Sequence, residues 1–295
     1  MVVYHYTNID NLDKIITKKD DGTPVLKIHA THCLFLNDHY ENIIGLTILG
    51  KCLPLIEEEL NIPPQNKLSP LLKNKSDWER RMKTFTPNIG RNFHVFSLSK
   101  ERDSLIMWSA YGNKGDGVAI GLDWSVLKQY TEGEDYQGLS GKCTYWNKDM
   151  MGDLSDPSSI IYKRVKAKYK EMTSSKVRSL FLELYKCEDD INKNILQCLL
   201  SFYSTFHKTE EWKNEREYRC MFGASMEEIS FYKNNRGDYI PYISIELPIT
   251  ALREIIIGPA CGKNANWMAL SLLVKLKTYE LPNPPSIHKS KCPLQ

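Results

Sequence analysis

Two kinds of hydrophobic pattern recur along this chain. One is a short segment rich in β-branched and aromatic residues, and the other is a longer segment with apolar residues every three or four positions. Residues 2–6, with the sequence VVYHY, have the first pattern and predict a strand. Further strands are predicted at residues 25–30, 93–98, 117–122, 142–146, 218–223, 239–246 and 254–258.

The second pattern predicts the helices. Residues 11–19 repeat apolar side chains at helical spacing, and Thr7 or Asn8 can cap the N-terminus. A longer stretch of the same spacing at residues 158–207 predicts a helical insertion that covers one face of the sheet. Other helices are predicted at residues 41–60 with a break at Pro54, 76–85, 104–110 and 266–275.

These elements predict an α+β fold. We expect one domain over residues 1–280, with the helical insertion inside it. Residues 281–295 are expected to form a loose tail, because residues 276–295 contain four prolines.

The composition fits a globular core without a membrane span. The 295 residues are 42% hydrophobic, and no apolar run approaches the roughly 20 residues that a transmembrane helix needs. The chain opens on its first strand, without the regions of a signal peptide. Its eight cysteines are scattered and include no CxxC pair, so we expect reduced thiols in a cytoplasm and no membrane partner.

The net charge of the chain is small. Its 39 basic and 36 acidic side chains leave a formal charge of +3. Proteins that bind phosphate backbones usually carry a larger basic excess. The balance therefore permits contact with nucleic acid without requiring it.

The first candidate functional residue is His5, on an otherwise hydrophobic strand. A strand holds an imidazole rigidly, which suits a hydrogen bond to a sugar hydroxyl or a metal. The alternative is a core histidine satisfied by a backbone carbonyl. Periodicity alone favours the core histidine.

The second candidate is a polar turn between a predicted strand and a predicted helix. Residues 96–112 read FSLSKERDSLIMWSAYG, with Arg102 in the turn and Trp108, Ser109 and Tyr111 on the helix. A guanidinium followed by aromatic side chains can grip a planar, charged ring beside phosphates. Alternatively, Trp108 belongs to the core and Arg102 forms a surface ion pair, and the sequence leaves both interpretations open.

The third candidate is the sequence EWKNEREYR at residues 211–219. In an extended backbone, Glu215, Glu217 and Arg219 lie on one face, and an apolar segment follows them. Two carboxylates and an arginine are unusual for a core strand. An edge strand with a solvated face is the alternative.

Other motifs are weak or missing. His29, His32, Cys33 and His39 do not match the spacing of a structural zinc site, so we predict no metal. The glycines of residues 112–121 follow a helix, which argues against a dinucleotide fingerprint or a P-loop. No GxSxG, HExxH or GKS/T motif occurs.

At the candidate segments the chain resembles DUF2971, a bacterial family of unknown function. Members open with a YHYT-like strand and carry Asn-Asp followed shortly by Glu, here LNDHYE at residues 36–41 with Asn37 and Asp38. FSLS…LxMWSxY and W…ExEYR follow, and then a strand similar to EIIIGP at residues 254–259. The matches occur in order from Tyr4 to Pro259 and leave residues 158–207 unexplained.

The opening segment also resembles DarT, a family of DNA-modifying ADP-ribosyltransferase toxins. That first strand likewise reads Tyr-His-x-Thr and runs to an Asn-Leu, and a later glutamate begins a strand. The resemblance implies an ADP-ribosyltransferase-like split β-sheet and NAD as co-substrate. It places His5 on the adenosine-side ribose of NAD, with Thr7 and Asn11 beside the cofactor.

The DarT resemblance also implies roles for the later segments. Arg102 would lie near the pyrophosphate or the target, and Trp108 or Tyr111 would stack on nicotinamide, with Ser109 beside them. Glu217 would be the catalytic glutamate. Supporting roles fall to Asn37, Asp38, Glu215 and Arg219. Two departures stand out: a tryptophan occupies a position where tyrosine is usual, and a second glutamate, Glu215, competes for the catalytic role.

The expected function is transfer of ADP-ribose from NAD to a macromolecule, either nucleic acid or protein, in a toxin or phage-defence setting. Cleavage of the nicotinamide–ribose bond passes through an oxocarbenium-like state, which a nearby carboxylate stabilises. One alternative is a binding module for a nucleotide or a protein, without turnover. Another is an NAD glycohydrolase whose acceptor is water.

Overall fold

A computed structural model describes residues 1–36, 92–136, 138–147, 205–234, 236–261, 264–279 and 281–293, together with residue 163 and most of 54–69. Asn37 and Asp38 lie outside the described residues. The predicted helix at residues 76–85 and nearly all of the predicted insertion at 158–207 do so as well.

The described residues form a mixed α+β structure, which confirms the α+β part of the predicted fold. The helices are α1 (Leu12–Ile15), α2 (Leu105–Ala110), α3 (Trp124–Glu132) and α4 (Asn264–Thr278). The strands are β1 (Val2–Asn8), β2 (Ile16–Lys18), β3 (Pro24–His32), β4 (Asn92–Ser99), β5 (Gly117–Asp123), β6 (Leu139–Lys142), β7 (Thr144–Trp146), β8 (His207–Thr209), β9 (Glu217–Ala224), β10 (Ser230–Lys233), β11 (Tyr239–Pro248), β12 (Leu252–Ile257) and β13 (Ser286–Lys289).

The chain divides into two compact units. One comprises residues 1–35, 93–143 and 212–295, and the other comprises residues 36–92 and 144–211. In the second unit, β7 and β8 pair in parallel, and Trp146 Nε1 donates to His207 Nδ1 at 2.7 Å. The first unit contains the large sheet and all the described candidate residues.

The large sheet has the strand order β10-β11-β3-β4-β1-β5-β12-β13. Three further strands lie off this path: β2 pairs with β3, and β9 pairs with both β4 and β6. Long antiparallel ladders join β1 to β5 and β3 to β11. The sheet therefore consists of two well-paired groups of strands, and β4 lies between them.

Strand β4 has three neighbours, more than its two edges can hold along their full length. It pairs with β3 through Val95 and His94 and with β1 through Ser99 alone. The two contacts are about 13 Å apart along β4, at ~3.3 Å per residue. We call the part of β4 between them, Phe96–Leu98, the fork.

Apolar side chains form separate clusters on the two sides of β1. The larger cluster includes Val3, Phe96 and Phe222 with residues of β3, β5, β11 and β12. The smaller cluster packs Tyr4 and Tyr6 against Trp108 of α2. Because successive side chains of a strand point to opposite faces, the two clusters report the two faces of β1.

The prediction of a helix over residues 11–19 is wrong beyond Ile15. Ile9–Asn11 form a 3₁₀ turn capped by the side chain of Asn8, and α1 is a single helical turn. Residues Ile16–Lys18 then pair with β3 as strand β2. β-branched side chains at positions 15–17 favour a strand wherever a partner edge is present.

The expected loose tail is instead part of the sheet. Residues Ser286–Lys289 form β13, in parallel register with β12. Beyond the strand, Ser290 Oγ and the backbone N–H of Lys291 donate to the carboxylate of Asp103. Prolines precede this strand and do not interrupt it, so they bound the paired segment without preventing it.

Most predicted strands of the first unit are confirmed within two residues at either end. The predicted strand at 142–146 divides into β6 and β7 at Cys143. Helix α3 and strand β10 were not predicted. Strand β10 is exposed along its whole length, so it lacks the alternation on which the prediction of strands depends.

The backbone is closely packed at Gly258, directly after β12. Its N–H donates to Gly117 O at 2.8 Å, and an added Cβ would meet the carbonyl oxygens of Gly115 and Gly117. We expect Gly258→Ala to lower the free energy of unfolding by about 1–3 kcal/mol in urea titrations. Gly223→Ala, where an added Cβ meets nothing within 4 Å, should be neutral or slightly stabilising. Equal losses in the two variants would contradict the packing argument.

Candidate functional site

His5 lies at the fork of the sheet. Its Nδ1 is 3.3 Å from the backbone oxygen of Ser97, and its ring packs on Phe96 with centroids 4.8 Å apart. A carbonyl oxygen only accepts hydrogen bonds, so Nδ1 carries the hydrogen and Nε2 is the acceptor nitrogen of the neutral ring. The side chain therefore binds a carbonyl at a point where no residue pair joins β1 to β4.

The surroundings of His5 favour its neutral form. Burial disfavours the imidazolium and lowers the pKa of His5 to about 4, and the charge of His29 lowers this pKa further, although the Ser97 hydrogen bond opposes the shift. At neutral pH the ring is an uncharged hydrogen-bonding group.

Thr7 and Asn11 lie on the same side as His5. Thr7 follows His5 by two residues on β1 and so shares its face. Asn11 Nδ2 donates to Thr7 Oγ1 at 2.9 Å. The structure thus brings together the three residues of the first predicted segment.

Trp108 lies on the other face of β1. It is fully buried, and its ring packs edge-on against Tyr6 at 4.8 Å, while its Nε1 donates to Asp103 Oδ1 at 2.7 Å. Tyr6 neighbours His5 in sequence and points the opposite way. The structure therefore does not bring Trp108 and His5 into one cleft.

The neighbours of Trp108 on α2 have different surroundings. Ser109 is exposed, whereas Tyr111 is half-buried and its hydroxyl donates to Glu215 Oε1 at 2.6 Å. Tyr111 packs against the same small cluster as Trp108. The aromatic side chains of this helix contribute to packing on the Tyr4–Tyr6 face.

Arg102 forms a bidentate ion pair with Glu254 of β12. Its Nη2 lies 2.6 Å from Glu254 Oε2, and Tyr4 donates its hydroxyl to Glu254 Oε1 at 2.7 Å. Burial alone raises the pKa of Glu254, but the hydrogen bonds from Arg102 and Tyr4 outweigh it and leave this pKa below its ordinary value. Of the two interpretations of Arg102, the structure shows the ion pair.

Glu217 and Arg219 form a second bidentate pair, on β9. Arg219 Nε donates to Glu217 Oε1 at 2.6 Å and Nη2 to Oε2 at 3.0 Å, and both side chains are buried. They alternate with Cys220 and Phe222, which belong to the large core cluster, so they face away from that core. His5 shares the face of Val3, which belongs to the same cluster, so the structure does not place Glu217 on the face of His5.

Glu215 does not extend the face of Glu217 and Arg219, as the sequence had predicted. It ends a 3₁₀ turn, Glu210–Glu215, and Arg216 follows with φ of 44°. A left-handed backbone at a residue other than glycine is costly and breaks the alternation of a strand.

Hydrogen bonds to β4 and to the residues after it hold this turn. Ser99 Oγ donates to Glu215 O at 2.6 Å, and the N–H of Lys100 donates to Arg216 O at 3.1 Å. Arg216 also pairs with Glu101 at 3.0 Å.

Four residues of these clusters were missed as candidates. Tyr4 and Glu254 stand in the YHYT and EIIIGP motifs, so the signal was present, but their contact joins positions 250 residues apart. Asp103 was part of the polar turn, yet its partners come from the segment expected to be loose. Ser97 acts through its backbone oxygen, for which side-chain identity gives no signal.

Comparison with protein families supports the first resemblance. A model of DUF2971, a protein family of unknown function, matches residues 107–220. The match runs from α2 to the middle of β9 and so includes Trp108, Tyr111, Glu215, Glu217 and Arg219. No curated protein and no solved structure matches the chain.

The described part of the chain contains neither a metal-binding group of side chains nor a membrane-crossing helix. Histidine, cysteine, aspartate and glutamate side chains there do not form a group of three or more able to hold a metal ion. None of the helices described above is long and apolar enough to cross a membrane.

The environment of His5 predicts a pH dependence of stability. The pKa of His5 is about 4 in the folded protein and 6.5 ordinarily, so between these values the unfolded chain binds a proton that the folded chain does not. The free energy of unfolding should therefore fall as the pH drops through this window, by on the order of 1–3 kcal/mol, given that His5 as a whole residue is half-buried.

His5→Asn is the matched variant for this prediction, since its amide can still donate to Ser97 O but does not titrate. Urea titrations across the pH window should show a flatter dependence for His5→Asn than for the wild type. Parallel curves for the two proteins would contradict the assignment.

Proposed function

We propose that this chain is an NAD-dependent ADP-ribosyltransferase that modifies a macromolecule and binds NAD at the fork. The observation that carries the proposal is the fork itself. Two groups of strands diverge from β4, with His5 at the point of divergence and Thr7 and Asn11 beside it. This arrangement supports the split sheet and the NAD-facing histidine that the DarT resemblance implies.

The chemistry of the three residues suits a ribose. A neutral imidazole offers Nε2 as an acceptor once Nδ1 is bound to a carbonyl. Thr7 and Asn11 add a hydroxyl and an amide, which both donate and accept. Ribose hydroxyls also donate and accept, so they can form hydrogen bonds with these three uncharged side chains.

Glu217 is the carboxylate that the DarT resemblance assigns to catalysis, although it faces away from the core cluster toward which His5 points. It begins β9, whose pairing with β4 and β6 fixes its backbone, and Arg219 holds both of its oxygens. A fixed anion stabilises positive charge that develops on a ribose in the transition state. Glu215 is the weaker choice, because it lies outside the strand and accepts from Tyr111.

The residues on the other face have supporting roles in this proposal. Trp108 is buried and Tyr111 is bound to Glu215, so neither serves as a nicotinamide platform. Arg102, paired with Glu254, ties the turn before α2 to β12.

A second candidate function is a nucleotide-binding module without turnover. The pairing of both Glu217 oxygens with Arg219 favours it, since a carboxylate occupied in this way can be purely structural. The two functions differ in one readout, the release of nicotinamide from bound NAD.

The ribose contacts predict a loss of NAD affinity on substitution at the fork. Removing a hydrogen-bonding group that faces a ligand costs about 1–2 kcal/mol, so His5→Ala should weaken NAD binding by roughly tenfold in calorimetry. His288→Ala, on β13, removes a half-exposed histidine from another part of the sheet and should bind NAD like the wild type. Equal affinity in the wild type and His5→Ala, or no binding by the wild type, would overturn the site.

Turnover should depend on Glu217. We expect Glu217→Gln to lower nicotinamide release from NAD by roughly 100-fold or more while NAD still binds. The control is Asp123→Asn, which also removes a carboxylate charge from an arginine pair, since Arg253 donates twice to Asp123 Oδ2, and which should keep near wild-type release.

Because Glu217→Gln removes a negatively charged partner from the buried Arg219, the folding of this variant must be checked, and retained NAD binding serves as that check. A folded Glu217→Gln enzyme with near wild-type release would refute the catalytic assignment. A wild-type protein that binds NAD without releasing nicotinamide would instead establish the binding module.

A further inference from the structure

Helix α4 carries apolar residues both on the side that faces the protein and on its outward side. Toward the protein it presents Ser271, Val274 and Thr278, which are at most 8% exposed, and Leu270 and Leu273 also pack against the large core cluster. Two of the three buried side chains carry hydroxyls, and Thr278 satisfies its own by donating to Val274 O at 2.7 Å.

The outward side of α4 carries a continuous apolar stripe. Met268, Leu272, Leu276 and Tyr279 are 64%, 57%, 61% and 69% exposed. Their spacing of four, four and three residues places them on one side of the helix, because 3.6 residues complete a turn. We call these four residues the α4 stripe.

The exposed apolar area of the α4 stripe is at the upper end of what monomeric proteins show in one patch. Four large side chains exposed by more than half contribute roughly 500–600 Å² of contiguous apolar surface, and a patch of this size on a monomeric protein is often functional. A helix that is apolar on both sides is typically covered on both sides. The α4 stripe is therefore expected to be covered by a partner surface.

We propose that a second copy of this chain covers the α4 stripe, through a two-fold axis at Leu272. The stripe is self-complementary about that residue: Met268 precedes it and Leu276 follows it by four positions. In an antiparallel pair of helices, Leu272 meets its own copy and Met268 meets the partner's Leu276. Unbranched and γ-branched side chains of similar size then pack against each other.

The charged residues around the α4 stripe and the area of the stripe agree with a second copy of the chain as its partner. The charged residue that borders the stripe on α4 is Lys275, which the antiparallel pairing places opposite the partner's Ala269, away from its own copy. Two stripes together bury roughly 1,000–1,200 Å², at the lower limit for a specific interface. Lys18 lies 6.0 Å from the ring of Tyr279 and Lys289 lies 5.1 Å from that of Trp267, so these charges fall at the ends, where water still solvates them.

The first test measures the mass of the particle in solution. Light scattering across a dilution series should give twice the chain mass of 34.1 kDa for the wild type, with dissociation on dilution. Leu272→Glu places two like charges at the two-fold axis and should raise the dimer Kd by about 100-fold or more. Gln129→Glu adds the same charge to an exposed position of α3 and should leave the dimer intact.

The second test examines the geometry of the pairing, with a short bis-maleimide as cross-linker. Leu272→Cys alone should give covalent dimers, because each copy meets itself. Met268→Cys and Leu276→Cys should cross-link with each other when mixed and poorly when separate. The unmodified wild type, in which Cys292 is half-buried, measures the background from native cysteines.

Three results would overturn the proposal. One is a wild-type monomer at every concentration, and another is a dimer that Leu272→Glu leaves unchanged. The third is a monomer that sediments with anionic vesicles and loses this binding in Leu272→Glu, which would assign the stripe to a lipid surface. Far-ultraviolet circular dichroism of Leu272→Glu shows whether the variant is folded, and the cross-linking pattern decides the question if it is not.

Discussion

The competition of three strands for β4 is the constraint on which the rest of this sheet depends. A strand offers two hydrogen-bonding edges, and β9, β3 and β1 all pair with β4. The ladders to β3 and β1 are consequently short, and backbone carbonyls between them need other donors. The imidazole of His5 supplies one of these donors, at Ser97.

On the other face of β1, carboxylates connect segments that are distant in sequence. Asp103 accepts from Trp108, Ser290 and Lys291, and Glu254 accepts from Tyr4 and Arg102. Charged acceptors form stronger hydrogen bonds than neutral ones, and most of these contacts are at least partly shielded from water. Helix α2 is thereby held between β1 and the segment that follows β13.

Hydrophobic patterns along the sequence predicted most strands and helices. Where these patterns were misleading, pairing between residues distant in sequence determined the structure. The strand of Val2–Asn8 was predictable from its β-branched and aromatic content, and so was the face shared by Glu217 and Arg219. Residues 16–18 have helical spacing, yet they form a strand because the edge of β3 is available to them. His5 and Trp108 are separated because side chains alternate along β1 and because α2 packs on the Tyr4–Tyr6 face. The position of α2 depends on contacts with distant residues, so the sequence around Trp108 does not predict it.

The order of the strands also affects how this sheet can assemble. Strand β1 precedes its partners in the chain and lies in the interior of the sheet, but Tyr4 pairs with Ser99 and Val2 pairs with Asp123. Its partners are thus synthesised roughly a hundred residues later, and β12 must follow before the outer edge of β5 is filled. Contacts of such sequence separation carry a large loop-closure cost and slow folding. Until they form, β1 is an unpaired strand with two exposed edges, the kind of segment that chaperones protect from aggregation.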